Sequence, residues 1–175
     1  MDLGIAGRNA IVCASSRGLG KGCAMSLARN GANVVINGRD EAVTMATAAE
    51  ISAASDVTVT PVIADVSSKE GQAALLAACP QPDILVNNNG GPPFRDFRDL
   101  SREDMLQGVT MNFATPIELV QAVIDPMVAQ GFGRIVNITS VSVMRPVFGL
   151  DLSSGARAGL TAFLAGVARS VAQHN

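Results

Sequence analysis

The residues with the most chemical potential stand in one short run, Cys13-Ala14-Ser15-Ser16-Arg17-Gly18-Leu19-Gly20. The run follows an apolar segment, Ala10 to Cys13, and leads into a helical pattern. In a strand-to-helix turn of this kind, glycines let the backbone approach a phosphate. The free N–H groups and partial positive charge of the helix start then attract it. A P-loop would need Ser or Thr after Gly20-Lys21, but Gly22 stands there, and Cys23 occupies the third glycine of GxGxxG. Taken alone the turn is a weak signal, and a Gly-rich turn with no ligand is the competing reading.

Composition excludes several other chemistries. The 175 residues are 48% hydrophobic and 16% charged, with six Phe but no Tyr or Trp, so no step that needs a phenol is available. The single histidine, His174, is next to last, which argues against a His-based metal site or triad. Cys13, Cys23 and Cys79 form no CxxC or metal spacing, and their odd number points to a reducing compartment, the cytoplasm. A net charge of −2 supplies no basic field for nucleic acid or anionic lipid. The longest apolar run, Ala73 to Cys79, falls far short of the ~20 residues that span a bilayer, and Met1-Asp2-Leu3-Gly4 shows no basic, apolar leader pattern. The expectation is a cytoplasmic protein with neither a nucleic-acid nor a membrane partner.

Positioning such a turn requires a sheet, and the sequence alternates short β-rich runs with helical ones, as parallel α/β folds do. Strands are expected at 10–13, 33–37, 57–64, 83–87 and 133–139. Helices are expected after the Gly turn, over 40–55, from the capping-box spacing Ser67 to Glu70 up to Pro80, and from Ser101 to about Gln130 with interruptions at Pro116 and Pro126. The first helix has Leu19, Cys23 and Leu27 at four-residue spacing and ends at Gly31. Leu160, Phe163, Leu164, Val167 and Val171 mark a last amphipathic helix. With no repeat or linker, residues 1–175 read as one domain.

Taken together, the motifs resemble those of the short-chain dehydrogenase/reductase family, in particular its 3-oxoacyl-acyl-carrier-protein reductase-like branch. The family turn T-G-x-x-x-G-x-G is matched at Gly18 and Gly20, with Cys13-Ala14 in place of Thr-Gly. The alanine is tolerable unless its position needs φ > 0. An acid that contacts adenine corresponds to Asp65, followed by Val66, and N-N-A-G appears as Asn87-Asn88-Asn89-Gly90. The structural Asn of the long helix corresponds to Asn112 and the catalytic Ser to Ser140. The resemblance implies a Rossmann-type, doubly wound parallel sheet in three α/β/α layers. It also implies that the chain stops before the last strands and substrate lid of the family, and that a homo-oligomer forms through the helix from Ala114 and the final helix.

The same resemblance implies a cofactor. An acid at the end of the second strand would bond the adenosine ribose and repel a 2′-phosphate. Here Gly38 holds that position, Arg39 follows, and Arg17 lies in the turn. Guanidinium groups pair well with phosphate, and in the family this combination marks NADP(H). The expected cofactor contacts are Ser16, Arg17, Gly18, Leu19, Gly20, Arg39, Asp65, Val66, Asn88 and Gly90. A two-residue shift in register would instead bring Asp40 near the ribose.

The family's proton-transferring Tyr falls thirteen positions beyond Ser140, on Ser153, and its Lys four further on, on Arg157. Ser153 is a far weaker acid than a phenol, and Arg157 keeps the charge without readily exchanging a proton. A polar helix face with no catalytic duty is an equally weighted reading of the pair. Ser140, Asn112, Ser153 and Arg157 are thus the catalytic candidates. The substrate expected from the resemblance is a carbonyl or hydroxyl compound, possibly a 3-oxoacyl thioester; the alternative is a non-catalytic dinucleotide-binding or dimerisation protein. Arg145 could meet an anionic substrate group and Phe94 and Phe97 could wall an apolar cleft, although a solvated Arg and loop packing are the plainer readings.

Overall fold

The computed structural model describes residues 2–175. Its centre is a five-stranded parallel sheet made of β1 (Asn9–Val12), β2 (Asn33–Gly38), β3 (Val59–Ile63), β4 (Ile84–Asn87) and β5 (Arg134–Asn137), in the spatial order β3-β2-β1-β4-β5. The chain winds outward from β1 to β3 and then returns to β4 on the other side of β1. The reversal of direction leaves a crevice between the strand ends, the place where doubly wound sheets bind ligands.

Six α-helices cover the sheet: α1 (Gly18–Arg29), α2 (Glu41–Ala53), α3 (Lys69–Ala78), α4 (Arg102–Val109), α5 (Thr115–Gln130) and α6 (Asp151–Val171). Alternation along β1 builds both layers of the core. Ala10 and Val12 join Ala24 and Ala28 of α1 and Ile51 of α2, while Ile11 and Cys13 join Leu75 of α3 and Leu119 and Val123 of α5. Strands buried on both faces have to be apolar throughout, which is why the runs AIV, VVI and ILV were legible as strands.

Four local expectations are corrected. Leu19 does not lie on the buried face of α1; it is 70% exposed, and Gly20, Ala24 and Ala28 pack instead. Small residues let α1 approach the sheet closely, while Cys23, Met25 and Leu27 pack, partly buried, at the edges of that contact. The cap of α3 is Ser68, whose Oγ accepts from Gly71 N, and Ser67 is not the cap. Neither Pro116 nor Pro126 interrupts α5, because Pro116 sits in its first turn and Pro126 is accommodated inside it. The long helical region changes character at a π-turn, Thr110–Ala114, instead. At its start, Ser101 and Asp104 form a reciprocal capping box. Hydrogen bonds from the Ser101 backbone and hydroxyl, aided by Arg95, hold the Asp104 carboxyl below its ordinary value. Among the described residues no helix is long and apolar enough to cross a membrane.

Candidate functional site

At the carboxyl ends of β1, β2 and β4 lies a cleft of about 630 Å³. Its floor is the turn between β1 and α1, which is held from several sides. Ser15 Oγ donates to Val12 O at 2.6 Å and accepts from Asn37 N at 2.9 Å. The side chain of Asn37 accepts from Ala14 N and donates to the carbonyls of Val62 and Ala64, tying together the ends of three strands. Thr47 Oγ1 donates to Ser16 O from α2, and Asn88 Nδ2 donates to Ala14 O from the end of β4. The start of α1 has neither a side-chain cap nor an acid in its first turn. Its leading N–H groups are thus available to an anion.

Ala14 has φ +43, so the position does require the left-handed region, where a Cβ is strained. Ala14→Gly is expected to raise the melting temperature by about 1–4 °C, the net of about 1–2 kcal/mol of relieved strain against the glycine's extra unfolded-state entropy. An unchanged or lower value in a thermal melt would show that the turn carries the alanine without strain.

Of the expected cofactor contacts, Ser16, Arg17, Gly18, Leu19 and Arg39 line the cleft from the β1 and β2 sides. Asp65 and Val66 line it from the end of β3, and Asn88 and Gly90 from the end of β4. Gly20 is not at the surface of the cleft. It lies behind the turn, in contact with Ala14 O and Asn88 Nδ2. Arg39 and Asp65 face one another across the outer end of the cleft, Nη1 to Oδ2 at 3.8 Å. Asp40 reaches the rim, but its Oδ1 caps α2 by accepting from Val43 N. Sequence reading missed Ser15, Asn37 and Thr47; a lone Asn closing the apolar run NVVI was the one available signal.

The catalytic candidates gather beyond Asn88 and Asn89. Ser140 begins a single 3-10 turn, Val141–Val143, that packs against α6. Its Oγ accepts from Ser142 N and lies 2.8 Å from Ser142 Oγ. On α6, Arg157 Nε donates to Ser153 Oγ at 3.3 Å and Nη1 donates to Ile138 O at 2.5 Å, fastening Ser153 to the strand end that carries Ser140. Arg157 is only 8% exposed, and among the described residues it has no ion pair; burial pulls its guanidinium below the ordinary value. Asn112 lies in the π-turn, buried, with Nδ2 on Gly108 O at a long 3.4 Å and Oδ1 without a partner. Asn112, Asn87, Thr115 and Arg157 line a small, partly open cavity of about 20 Å³.

Two loops rim the site on the open side. Phe94 meets Phe148 edge to face with centroids 6.2 Å apart, and Arg95 N donates to Gly149 O. Phe97 does not join this wall, since its ring carries the Arg98 guanidinium instead. Val141 and Met144 extend the apolar rim, and Arg145 is exposed beside them. Burial pushes the Cys13 thiol up to about 12, which removes it as a nucleophile.

A doubly wound parallel sheet with a glycine-bearing turn at its switch point defines the Rossmann class. Within that class, the family model described as short chain dehydrogenase matches residues 8–175, and the chain belongs to that family. It is 31% identical over 147 residues to the uncharacterized oxidoreductase YvaG of Bacillus subtilis (strain 168), covering 83% of this chain and 56% of that protein. Against the 3-oxoacyl-[acyl-carrier-protein] reductase of Chlamydia muridarum it is 31% identical over 170 residues, covering 95% of this chain and 68% of the relative. The solved L-sorbose reductase from Gluconobacter frateurii, complexed with NADPH and L-sorbose, superposes with a TM-score of 0.94 at 26% identity, covering 100% of this chain and 68% of that one. The chain therefore spans little more than half of YvaG.

Proposed function

We propose that the chain is the cofactor-binding and catalytic-strand portion of an NADP(H)-dependent oxidoreductase that interconverts a carbonyl and a hydroxyl, with a short 3-oxoacyl thioester as its substrate type. The observation that carries the reading is the cleft: an anion-ready helix start, a fixed turn beneath it, Gly38 at the position where an acid would select NAD(H), and Arg39 next to it at the outer end. The donor set fits the group. Main-chain N–H groups at Gly18 and Leu19 would face the pyrophosphate, Arg17 and Arg39 would take the 2′-phosphate, Ser16 would flank it, and Asp65 and Val66 would meet the adenine, while Gly20 keeps α1 close behind the turn. Asn88 and Gly90 border the nicotinamide half. The L-sorbose reductase that this chain resembles is itself complexed with NADPH, and that supports the same choice.

When bound, the nicotinamide supplies the hydride. Ser140 then orients the carbonyl oxygen by donating to it, and Ser153 and Arg157, at the positions of the family's Tyr and Lys, hold a hydroxyl and a fixed positive charge on the same side. Neither can serve as the usual general acid, so the proton comes from water. Asn112, whose Oδ1 has no partner, lines the small cavity that Arg157 also borders. A homo-oligomer would form through α5 and the final helix α6, on which Phe163 is exposed, and three unpaired thiols suit the cytoplasm.

The test is a titration with both reduced cofactors. The parent is expected to bind NADPH more tightly than NADH. Arg39→Ala should weaken NADPH by about 10- to 100-fold, the loss of a charge-assisted phosphate contact, and leave NADH within about twofold. Equal affinities in the parent would refute the assignment. A second reading, a dinucleotide-binding protein without turnover, is favoured by the pairing of a buried Arg157 with an aliphatic hydroxyl. Binding of NADPH without single-turnover oxidation by a 3-oxoacyl thioester would select it.

A further inference from the structure

Hydroxyl groups at this site are not free to choose their direction. Ser140 Oγ accepts from Ser142 N at 3.2 Å and lies 2.8 Å from Ser142 Oγ, a contact in which either oxygen could donate. Ser142 decides which does. It is 3% exposed, and its hydroxyl has no other polar partner among the described residues. If Ser140 donated, the buried hydrogen of Ser142 would be left without an acceptor, and such orphaned groups are costly. The satisfied arrangement has Ser142 O–H and Ser142 N–H both directed at Ser140 Oγ. Its two lone pairs are then occupied, and its own hydrogen is the one thing it can offer.

Ser153 is set in the same sense, since Arg157 Nε donates into its oxygen. A guanidinium has no acceptor capacity, so nothing on Arg157 can receive a hydrogen from Ser153. Both hydroxyls therefore keep a hydrogen to offer, and of the two only Ser153 Oγ, with one lone pair filled, can also accept.

We propose that Ser142 is a positioning residue that commits Ser140 to donating, so that the site selects a substrate whose reacting oxygen only accepts, a ketone, over the corresponding alcohol. An alcohol bound in the same place carries a hydrogen for which Ser140 offers no lone pair; if the second lone pair of Ser153 takes it, the hydrogen of the buried Ser153 is left without an acceptor. This rests on the carbonyl-reducing reading above and adds a preferred oxidation state of the ligand. Removal of the Ser142 hydroxyl frees a lone pair on Ser140, which can then accept from an alcohol.

The test compares two probes on protein loaded with NADP+, by calorimetric titration: the acetoacetyl thioester of N-acetylcysteamine and its 3-hydroxybutyryl counterpart. The parent is expected to bind the ketone about fivefold more tightly, the worth of one net hydrogen bond. Ser142→Ala should bring that ratio to within about twofold of unity, and Ser142→Thr, which keeps the hydroxyl, should restore it. A ratio that survives in Ser142→Ala, or a parent that binds the alcohol as well as the ketone, would overturn the proposal. A merely structural role would lower both affinities together and leave the ratio intact. Neutron diffraction from deuterated crystals gives a second, ligand-independent answer. The Ser142 deuterium should lie on the line to Ser140 Oγ, whereas a Ser140 deuterium on that line would sink the idea. Should NADP+ bind and neither thioester do so, the substrate-class reading fails, and the neutron map alone decides the hydroxyl arrangement.

Discussion

Replacing Ser153 by Tyr and Arg157 by Lys in the same chain is expected to raise single-turnover oxidation of NADPH by about 10²–10⁴, the usual worth of a general acid. The physical case starts from the proton. An aliphatic hydroxyl cannot be brought near neutrality, whereas a phenol begins near ~10 and is lowered further by an adjacent cation. Ser153 and Arg157 already share one face of α6, and Arg157 Nε contacts Ser153 Oγ, so a phenol at 153 would be placed beside the charge. Ser153→Tyr alone keeps Arg157, which lowers the phenol but cannot return a proton to it, so its gain should be smaller than that of the pair. Arg157→Lys alone removes the guanidinium bond to Ile138 O, adds no acid, and should gain nothing. The pH profile provides an independent check. With no Tyr in the parent, its rate should be flat from about pH 7 to 9, while the double variant should lose rate as pH rises through the phenol's value, because reduction needs the protonated form. A double variant that binds NADPH and turns over no faster would remove Ser153 and Arg157 from the reaction.

How much of this was legible in the sequence follows from how local the cause is. The five strands were visible because a parallel strand buried on both faces must be continuously apolar, and the helix after Gly18 was visible because strand, glycines and helix stand in direct succession. The strand ends shifted by up to two residues, since pairing with a neighbour sets them and sequence alone cannot see the neighbour. The α1 face was misread for a related reason. Of the four-residue spacing of Leu19, Cys23 and Leu27, the last two pack partly buried against the core, but the closeness of sheet and helix selects Gly20, Ala24 and Ala28 for the contact and leaves Leu19 outside. At the site, residues that face the cleft from the ends of four strands could be proposed from motif order. The supports could not: Asn37 bonds groups on β1 and β3 that are distant in sequence, and Ser142 acquires its role only from burial against α6. The π-turn carries no local signature either; it lies between α4 and α5, where both pack on α6.

Gly20→Ala is expected to undo the site through geometry alone. A Cβ at Gly20 would lie 2.5 Å from Ala14 O, 2.8 Å from Asn88 Nδ2 and 2.9 Å from Ser15 Cα. Two of these atoms are backbone, and that backbone cannot give way cheaply. Ala14 is already at φ +43, its N–H is held by Asn37 and its carbonyl by Asn88. Either α1 moves off the sheet or the turn lifts and breaks the Asn88 bond. Overpacking of this kind costs about 1–3 kcal/mol, and the broken bond about 1 more, so the melting temperature should fall by roughly 5–15 °C. Affinity for NADPH should fall with it, by at least about tenfold, since the displaced turn carries the N–H groups proposed to meet the pyrophosphate. Gly22→Ala is the control for helix propensity. It lies in the same helix with nothing within 4 Å of its added Cβ, and should be neutral or stabilising by about 0.5–1 kcal/mol. Equal behaviour of the two variants would mean that the contact behind the turn is not tight. Adding Ala14→Gly to Gly20→Ala discriminates further. Relaxing φ at residue 14 lets its carbonyl swing away from the new Cβ, so the double variant should recover part of the loss beyond what Ala14→Gly contributes alone. Simple additivity would place the clash on Asn88 and Ser15 instead, and Asn88→Ala would then be the variant that relieves it.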